Sequence, residues 1–110
     1  MAIEQIADNF TNTIVDTVQK VFAAPANKSV VIESFTAANN SVVNASYKAY
    51  IVSSTGTLKP QIPFKVIVWG ENDLGIGIVN QTIPPGGELR VESSAINSIY
   101  FTVTGRTVDS

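Results

Sequence analysis

A chain of 110 residues has room for one domain built around one core. Its net charge is −2, and its basic residues (Lys20, Lys28, Lys48, Lys59, Lys65, Arg90 and Arg106) are scattered, so the basic patch of a nucleic-acid binder is missing. With neither cysteine nor histidine, disulfides, thiolate chemistry and Ser-His-Asp or Cys-His arrangements are excluded, and a metal site would need carboxylates alone.

Taken in chain order, residues 1–22 are ambiguous. Ile3, Ile6, Phe10, Ile14, Val18 and Val21 recur every three or four positions, as on a helix face. Thr11, Asn12, Thr13 and Thr17 are poor helix formers, however, and Ile14, Val15, Val18 and Val21 are β-branched. The expectation is a short helix or loose N-terminal arm over residues 1–12, ahead of a β domain over 13–110 whose first strand, straight or bent, spans 13–22. The first ten residues lack the basic start and apolar stretch of a signal peptide, and no run is long enough to span a membrane. Synthesis in a cytosol without membrane insertion is expected.

Residues 24–28 form a turn, 29–37 a strand, and 38–41 a second turn around an Asn-Asn pair. Residues 42–53 have the clearest period of two: Val43, Ala45, Tyr47, Ala49 and Ile51 share one face, Asn44, Ser46, Lys48 and Tyr50 the other. A Ser/Thr/Gly/Pro loop is expected over 54–63, a continuous apolar strand over 64–69 and a turn over 70–73. Residues 74–83 read as a strand loosened by Gly75 and Gly77.

Pro84-Pro85-Gly86-Gly87 is an abrupt corner, because proline cannot donate to a ladder and glycine reaches angles closed to other residues. A short strand follows over 88–92, a turn over 93–97, and a last strand over 98–107 with Ile99, Phe101 and Val103 on one face. Several short strands without a convincing long helix predict an all-β, single-domain antiparallel β-sandwich or jelly roll.

The search for chemistry finds little. No phosphate loop, dinucleotide fingerprint or nucleophile elbow is present. Gly75-Ile76-Gly77 has no following helix and reads as a bulge or tight packing. Glu71, Asn72 and Asp73 could offer oxygens to calcium, but a solvated turn is the simpler reading. Glu88 and Glu92 flank Arg90 on one strand face about 13 Å apart, too far for a glycosidase pair. Trp69 and Tyr100 could line a sugar site, although a lone Trp ending an apolar strand is usually core. The Asn-x-Ser/Thr triplets at Asn9, Asn27, Asn39, Asn44 and Asn80 read as coincidence in a chain so rich in these residues. No enzyme and no cofactor are expected. Charged residues are only 15% of the chain, and a surface so rich in neutral polar groups suits packing against neighbours, although an ordinary sandwich with a Ser/Thr-rich face fits as well.

Residues 21–40, Val-Phe-Ala-Ala-Pro-Ala-Asn-Lys-Ser-Val-Val-Ile-Glu-Ser-Phe-Thr-Ala-Ala-Asn-Asn, carry an aromatic residue shortly before Pro-Ala, then an apolar strand closed by Asn. With the 83–89 corner and the terminal Thr104-Gly105-Arg106, this resembles small β-sandwich structural proteins of tailed bacteriophages. Ser-Ala-Ile-Asn before the last strand departs from the Ala-Gly-Asp turn often seen there. The resemblance implies a virion accessory protein, a homo-oligomer that decorates or cements the capsid and partners the major capsid protein or another virion protein. It leaves open a tail or neck adaptor or fibre-associated role, and a small carbohydrate-binding module is the reading from another class. An arm carrying Ile3, Ile6 and Phe10 is the expected partner-binding segment.

Overall fold

The computed structural model describes the backbone of residues 3–109 and the side chains of residue 7 and residues 10–108. Among the described residues nine strands run in the order β1 (Ile3–Thr11), β2 (Gln19–Ala23), β3 (Lys28–Asn39), β4 (Ala45–Val52), β5 (Leu58–Ile67), β6 (Asn72–Asp73), β7 (Thr82–Ile83), β8 (Glu88–Ser93) and β9 (Ile99–Asp109). One sheet is ordered β1-β9-β3, with β6 and β7 both on the far edge of β3; the other is β2-β8-β4-β5. Every pairing is antiparallel. Taking β6 and β7 as one interrupted strand, the chain is a long ribbon pairing β1 with β9, β2 with β8, β3 with β6 and β7, and β4 with β5. Rolled into two sheets, that ribbon is a jelly roll. The all-β single-domain sandwich expected from the sequence is what the chain forms.

The alternation in β4 puts Ala45, Tyr47, Ala49 and Ile51 inside, and β9 buries Ile99, Phe101 and Val103. Strand β3 needs a correction to simple alternation, because Val30, Ile32, Phe35 and Ala37 are all buried. A register shift between Ile32 and Ser34 absorbs Glu33 as an extra residue, so both halves of the strand face the core. Phe35, Tyr47 and Phe101 then meet at the centre, with ring centroids 5.4–5.9 Å apart. Each such buried side chain stabilises the fold by about 1.5–3 kcal/mol relative to exposure.

The N-terminus is not a helix or loose arm over residues 3–11: β1 pairs with β9 from Ile3 opposite Arg106 to Thr11 opposite Tyr100. The register shift between Ala7 and Phe10 lets these two residues, three apart, both face the core. Ala7 is buried and Phe10 packs on the core, 6.4 Å from the Phe101 ring. The strand expected over 13–22 is only β2, preceded by a turn in which the Gln19 side-chain oxygen accepts from the Thr13 and Ile14 amides at 2.8 and 3.2 Å.

Strand β5 starts at Leu58, inside the expected loop, and tolerates Pro60 and Pro63 because it is an edge strand. The strand expected over 74–83 shrinks to β7. Residues 74–81 instead form a turn, with the Ile78 and Val79 amides donating to the Gly75 carbonyl at 2.9 and 3.0 Å, and fully buried Ile78 plugs the core. Tight packing at the two glycines holds: a Cβ on Gly75 would sit 2.3 Å from the Phe35 ring, and one on Gly77 2.7 Å from the Gln61 carbonyl oxygen.

At the Pro-Pro-Gly-Gly corner the Gly87 amide donates to the Pro84 carbonyl at 2.8 Å, and Gly86 has φ of 73°. Proline followed by positive-φ glycine is the chemistry of a type II turn. The Gly86 amide also reaches the Pro25 carbonyl at 2.9 Å, fastening this corner to the β2–β3 turn.

Candidate interaction surface

The strand directions gather four loops, residues 12–18, 40–44, 68–71 and 94–98, at one end of the sandwich. Backbone bonds tie them to each other and to the strand ends, Asp16 to Ser93 at 2.9 Å, Asn40 to Ser98 at 2.8 Å and Gly70 to Asn39 at 3.0 Å. The Trp69 amide donates to the Asn44 side-chain oxygen at 3.1 Å. Buried Asn39 is the latch: its amide group donates to the Val43 and Ile67 carbonyls at 3.0 and 2.9 Å, while its oxygen accepts from the Ser41 amide and hydroxyl.

This end is apolar on its outside. Ile14, Val15, Val42, Val43, Val68, Trp69 and Ile96 are all exposed there, Val42 to 86% and Trp69 to 60%. The loops at the opposite end, residues 24–27, 53–57 and 84–87, are built from Ala, Asn, Ser, Thr, Pro and Gly and carry no large apolar side chain. The apolar end also holds Asp16 and Glu71 but no Lys or Arg within its four loops. Exposed apolar surface concentrated at one place marks an interaction site, whereas scattered single residues do not.

The residues singled out from the sequence fall in different places. Phe10 lies against the core; the side chains of Ile3 and Ile6 lie outside the described residues. Trp69 is not core, because it stands in the 68–71 turn beyond the last ladder pair of β5. Tyr100, on the outer face of β9, helps to line a shallow cavity of about 500 Å³ with Ala38, Asn39, Asn40 and residues 70–72. Trp69 does not line it. Arg90 and Glu88 pair at 2.7 Å and Lys48 stands 3.8 Å from Glu92, all on the outer face of a sheet in which β8 lies between β2 and β4.

Asp73 does not occupy a solvated turn. Its Oδ2 accepts from the Tyr47 hydroxyl at 2.6 Å and the Gly75 amide at 3.2 Å, and Oδ1 lies 3.9 Å from Lys65 Nζ. Burial pushes the Tyr47 hydroxyl well above the ordinary tyrosine range, with the Asp73 hydrogen bond and charge adding to it. Among the described residues no group of three acidic side chains is placed to hold a metal ion, and no helix is long and apolar enough to cross a membrane.

The apolar end was missed in the sequence, although a signal was present. Ile14-Val15, Val42-Val43 and Val68-Trp69 are adjacent apolar pairs in or beside turns. Neighbouring residues in extended chain point to opposite sides, so such a pair at a strand end is hard to bury completely.

The fold and this surface together define a small jelly-roll domain with one apolar end. No family profile matches the chain, and no curated protein matches it in sequence. A chain in the structure of infectious bursal disease virus Gx strain is similar in backbone course, with a TM-score of 0.43 and 11% identity over 98% of this chain and 32% of that one. The chain thus spans about a third of the length of that neighbour.

Proposed function

We propose that this chain is a non-enzymatic structural protein of a virion, of the kind that decorates or cements a phage capsid. The observation that carries the reading is that seven of the twelve exposed large apolar side chains among the described residues stand in the four loops at one end of the jelly roll, whereas the loops of the opposite end carry none. A cement protein needs a stiff body and an adhesive surface, and no reacting group. The docking partner is a neighbouring virion subunit with an apolar surface rimmed by Lys or Arg. That complementarity follows from Asp16 and Glu71, which meet no basic residue within the four loops. The same like charge opposes two copies meeting end to end. Association of copies through other surfaces would present several adhesive ends at once and gain avidity. The similarity of residues 21–40 and 83–89 to tailed-phage structural proteins supports the same role.

The test is electron microscopy of the assembled particle from which the chain derives. Density spread over the shell, with residues 40–44 and 68–71 buried against it, supports a decoration role. Density confined to the neck or tail makes the protein an adaptor, and absence from the particle overturns the reading.

A further inference from the structure

The outer face of the first sheet carries a built trough beside the apolar end. Tyr100 of β9 is the ladder partner of Ala38 of β3, and Ala38 is in turn the partner of Asn72 of β6. Side chains paired across an antiparallel ladder stand on the same face. A methyl group therefore lies between a phenol ring and an amide. With strands about 4.8 Å apart, the opening between those walls is about 10 Å wide. Asn40, Gly70 and Glu71 complete it, for a volume of about 500 Å³. That is within the range of sites for small ligands.

The walls are held in place. The Glu71 amide donates to the Val68 carbonyl at 3.0 Å, and Gly70 takes φ of 78°, which a side chain would disfavour. The Asn39 amide donates to the Glu71 carbonyl at 2.9 Å, so the turn is bonded to β3. Asn39 spends its own side chain on the structure. By contrast, the side chains of Asn40, Glu71, Asn72 and Tyr100 make no hydrogen bond to other described residues.

The lining selects among ligand chemistries. No Lys or Arg lines the trough, so a phosphate or other anion would meet Glu71 without compensation. Glu71 is its one carboxylate, too few for a hard cation. A simple organic cation would use the Tyr100 ring and Glu71 but leave both amides idle. A ligand that uses every group needs an apolar face for the ring and several hydroxyls, each both donor and acceptor, for two amides and a carboxylate. A pyranose has both: C–H groups on one face and hydroxyls around its rim.

We propose that the trough formed by Ala38, Asn40, Gly70, Glu71, Asn72 and Tyr100 binds an uncharged or amine-bearing pyranose sugar. Tyr100 stacks on the sugar face, and Asn40, Asn72 and Glu71 hold its hydroxyls. The trough opens on the sheet face and shares Asn40, Gly70 and Glu71 with the loops of the apolar end, but its binding does not rest on the proposed assembly role. It can be read on the isolated protein whether or not that role holds.

The experiment is an amide NMR titration of the full chain with galactose, glucosamine and N-acetylglucosamine up to tens of millimolar. Tetramethylammonium serves as the cation control. The expected result is saturable shifts confined to residues 38–40, 70–72 and 100 with at least one sugar. Affinity should fall at least tenfold in Asn72→Ala, an exposed position that leaves the fold intact, and in Ala38→Leu, which fills the trough. Absence of saturable shifts with all three sugars overturns the proposal. So do shifts that persist undiminished in Asn72→Ala, and a response to tetramethylammonium without one to the sugars.

Discussion

The Tyr47 hydroxyl donates a 2.6 Å hydrogen bond to Asp73 and thereby joins the two sheets of the sandwich at a point where no ladder connects them. Tyr47 belongs to β4 in one sheet, and Asp73 to the short strand β6 on the edge of the other. The same carboxylate caps the Gly75 amide, so the bond also anchors the 74–81 turn over the core.

Tyr47→Phe should therefore keep the ring cluster with Phe35 and Phe101 but leave a half-buried carboxylate short of a partner. The expected loss is about 1.5–3 kcal/mol, the range for hydrogen bonds to charged groups, measured by denaturant unfolding at neutral pH.

The same group predicts a pH dependence. The folded Tyr47 hydroxyl holds its proton to a higher pH than the ordinary value of 10.0 shown by an unfolded chain. Above pH 10 the unfolded state thus binds fewer protons than the folded one, and stability falls as pH rises. Its contribution is fully present below about pH 10 and declines by up to about 1.4 kcal/mol per pH unit above it. The difference between wild-type and Tyr47→Phe unfolding curves should shrink across that alkaline range and stay constant between pH 6 and about pH 9.

Gly75 and Gly56 make a matched pair. Both have positive φ, at 62° and 89°, but a Cβ on Gly75 would strike the buried Phe35 ring whereas one on Gly56 meets open space. Gly56→Ala should lose about 1–2 kcal/mol from backbone strain alone. Gly75→Ala should lose a further 1–3 kcal/mol, roughly, from overpacking. Equal losses by thermal unfolding would show that the Phe35 ring moves aside freely.

Asn39→Ala should be among the most damaging polar substitutions. It removes the side-chain partner of the Ile67 carbonyl and of the Ser41 amide, whereas the Val43 carbonyl keeps the Ser41 hydroxyl at 2.9 Å. An expected loss of about 1–3 kcal/mol follows from leaving a buried carbonyl unsatisfied. It should be accompanied by faster amide exchange through residues 40–44 and 68–71.

Val42→Ser with Trp69→Ser should do the opposite. Both side chains are exposed, so stability should change by about 0.5 kcal/mol or less per site. Co-sedimentation with the assembled particle should drop at least tenfold if the apolar end is the docking surface. Undiminished co-sedimentation would remove that end from the interface.

Much of the architecture was legible from local spacing. The period of two correctly gave the inward faces of β4 and β9, because side chains in an extended strand must alternate, but Val43, grouped with that inward face, stands exposed in the loop before β4. The Pro-Pro-Gly-Gly corner was legible for a similar reason, since few turns accept those residues in that order. By contrast, the helical spacing of residues 3–10 pointed the wrong way. Pairing along β9, with two register shifts, makes this segment a strand, and a bulge exists only relative to a partner strand.

What the sequence determined by itself was an all-β single domain, the Pro-Pro-Gly-Gly corner and the inward faces of its regular strands, because those follow from each segment's own stereochemistry. Only the tertiary structure decided that β5 is an edge, that the apolar run 64–69 faces outward over much of its length, and that Trp69 stands in solvent beside Val42 and Val43 at the same end. It also brought Tyr100, Ala38 and Asn72 abreast on one face. Burial is a property of what covers a strand, and the covering elements here come from distant parts of the chain.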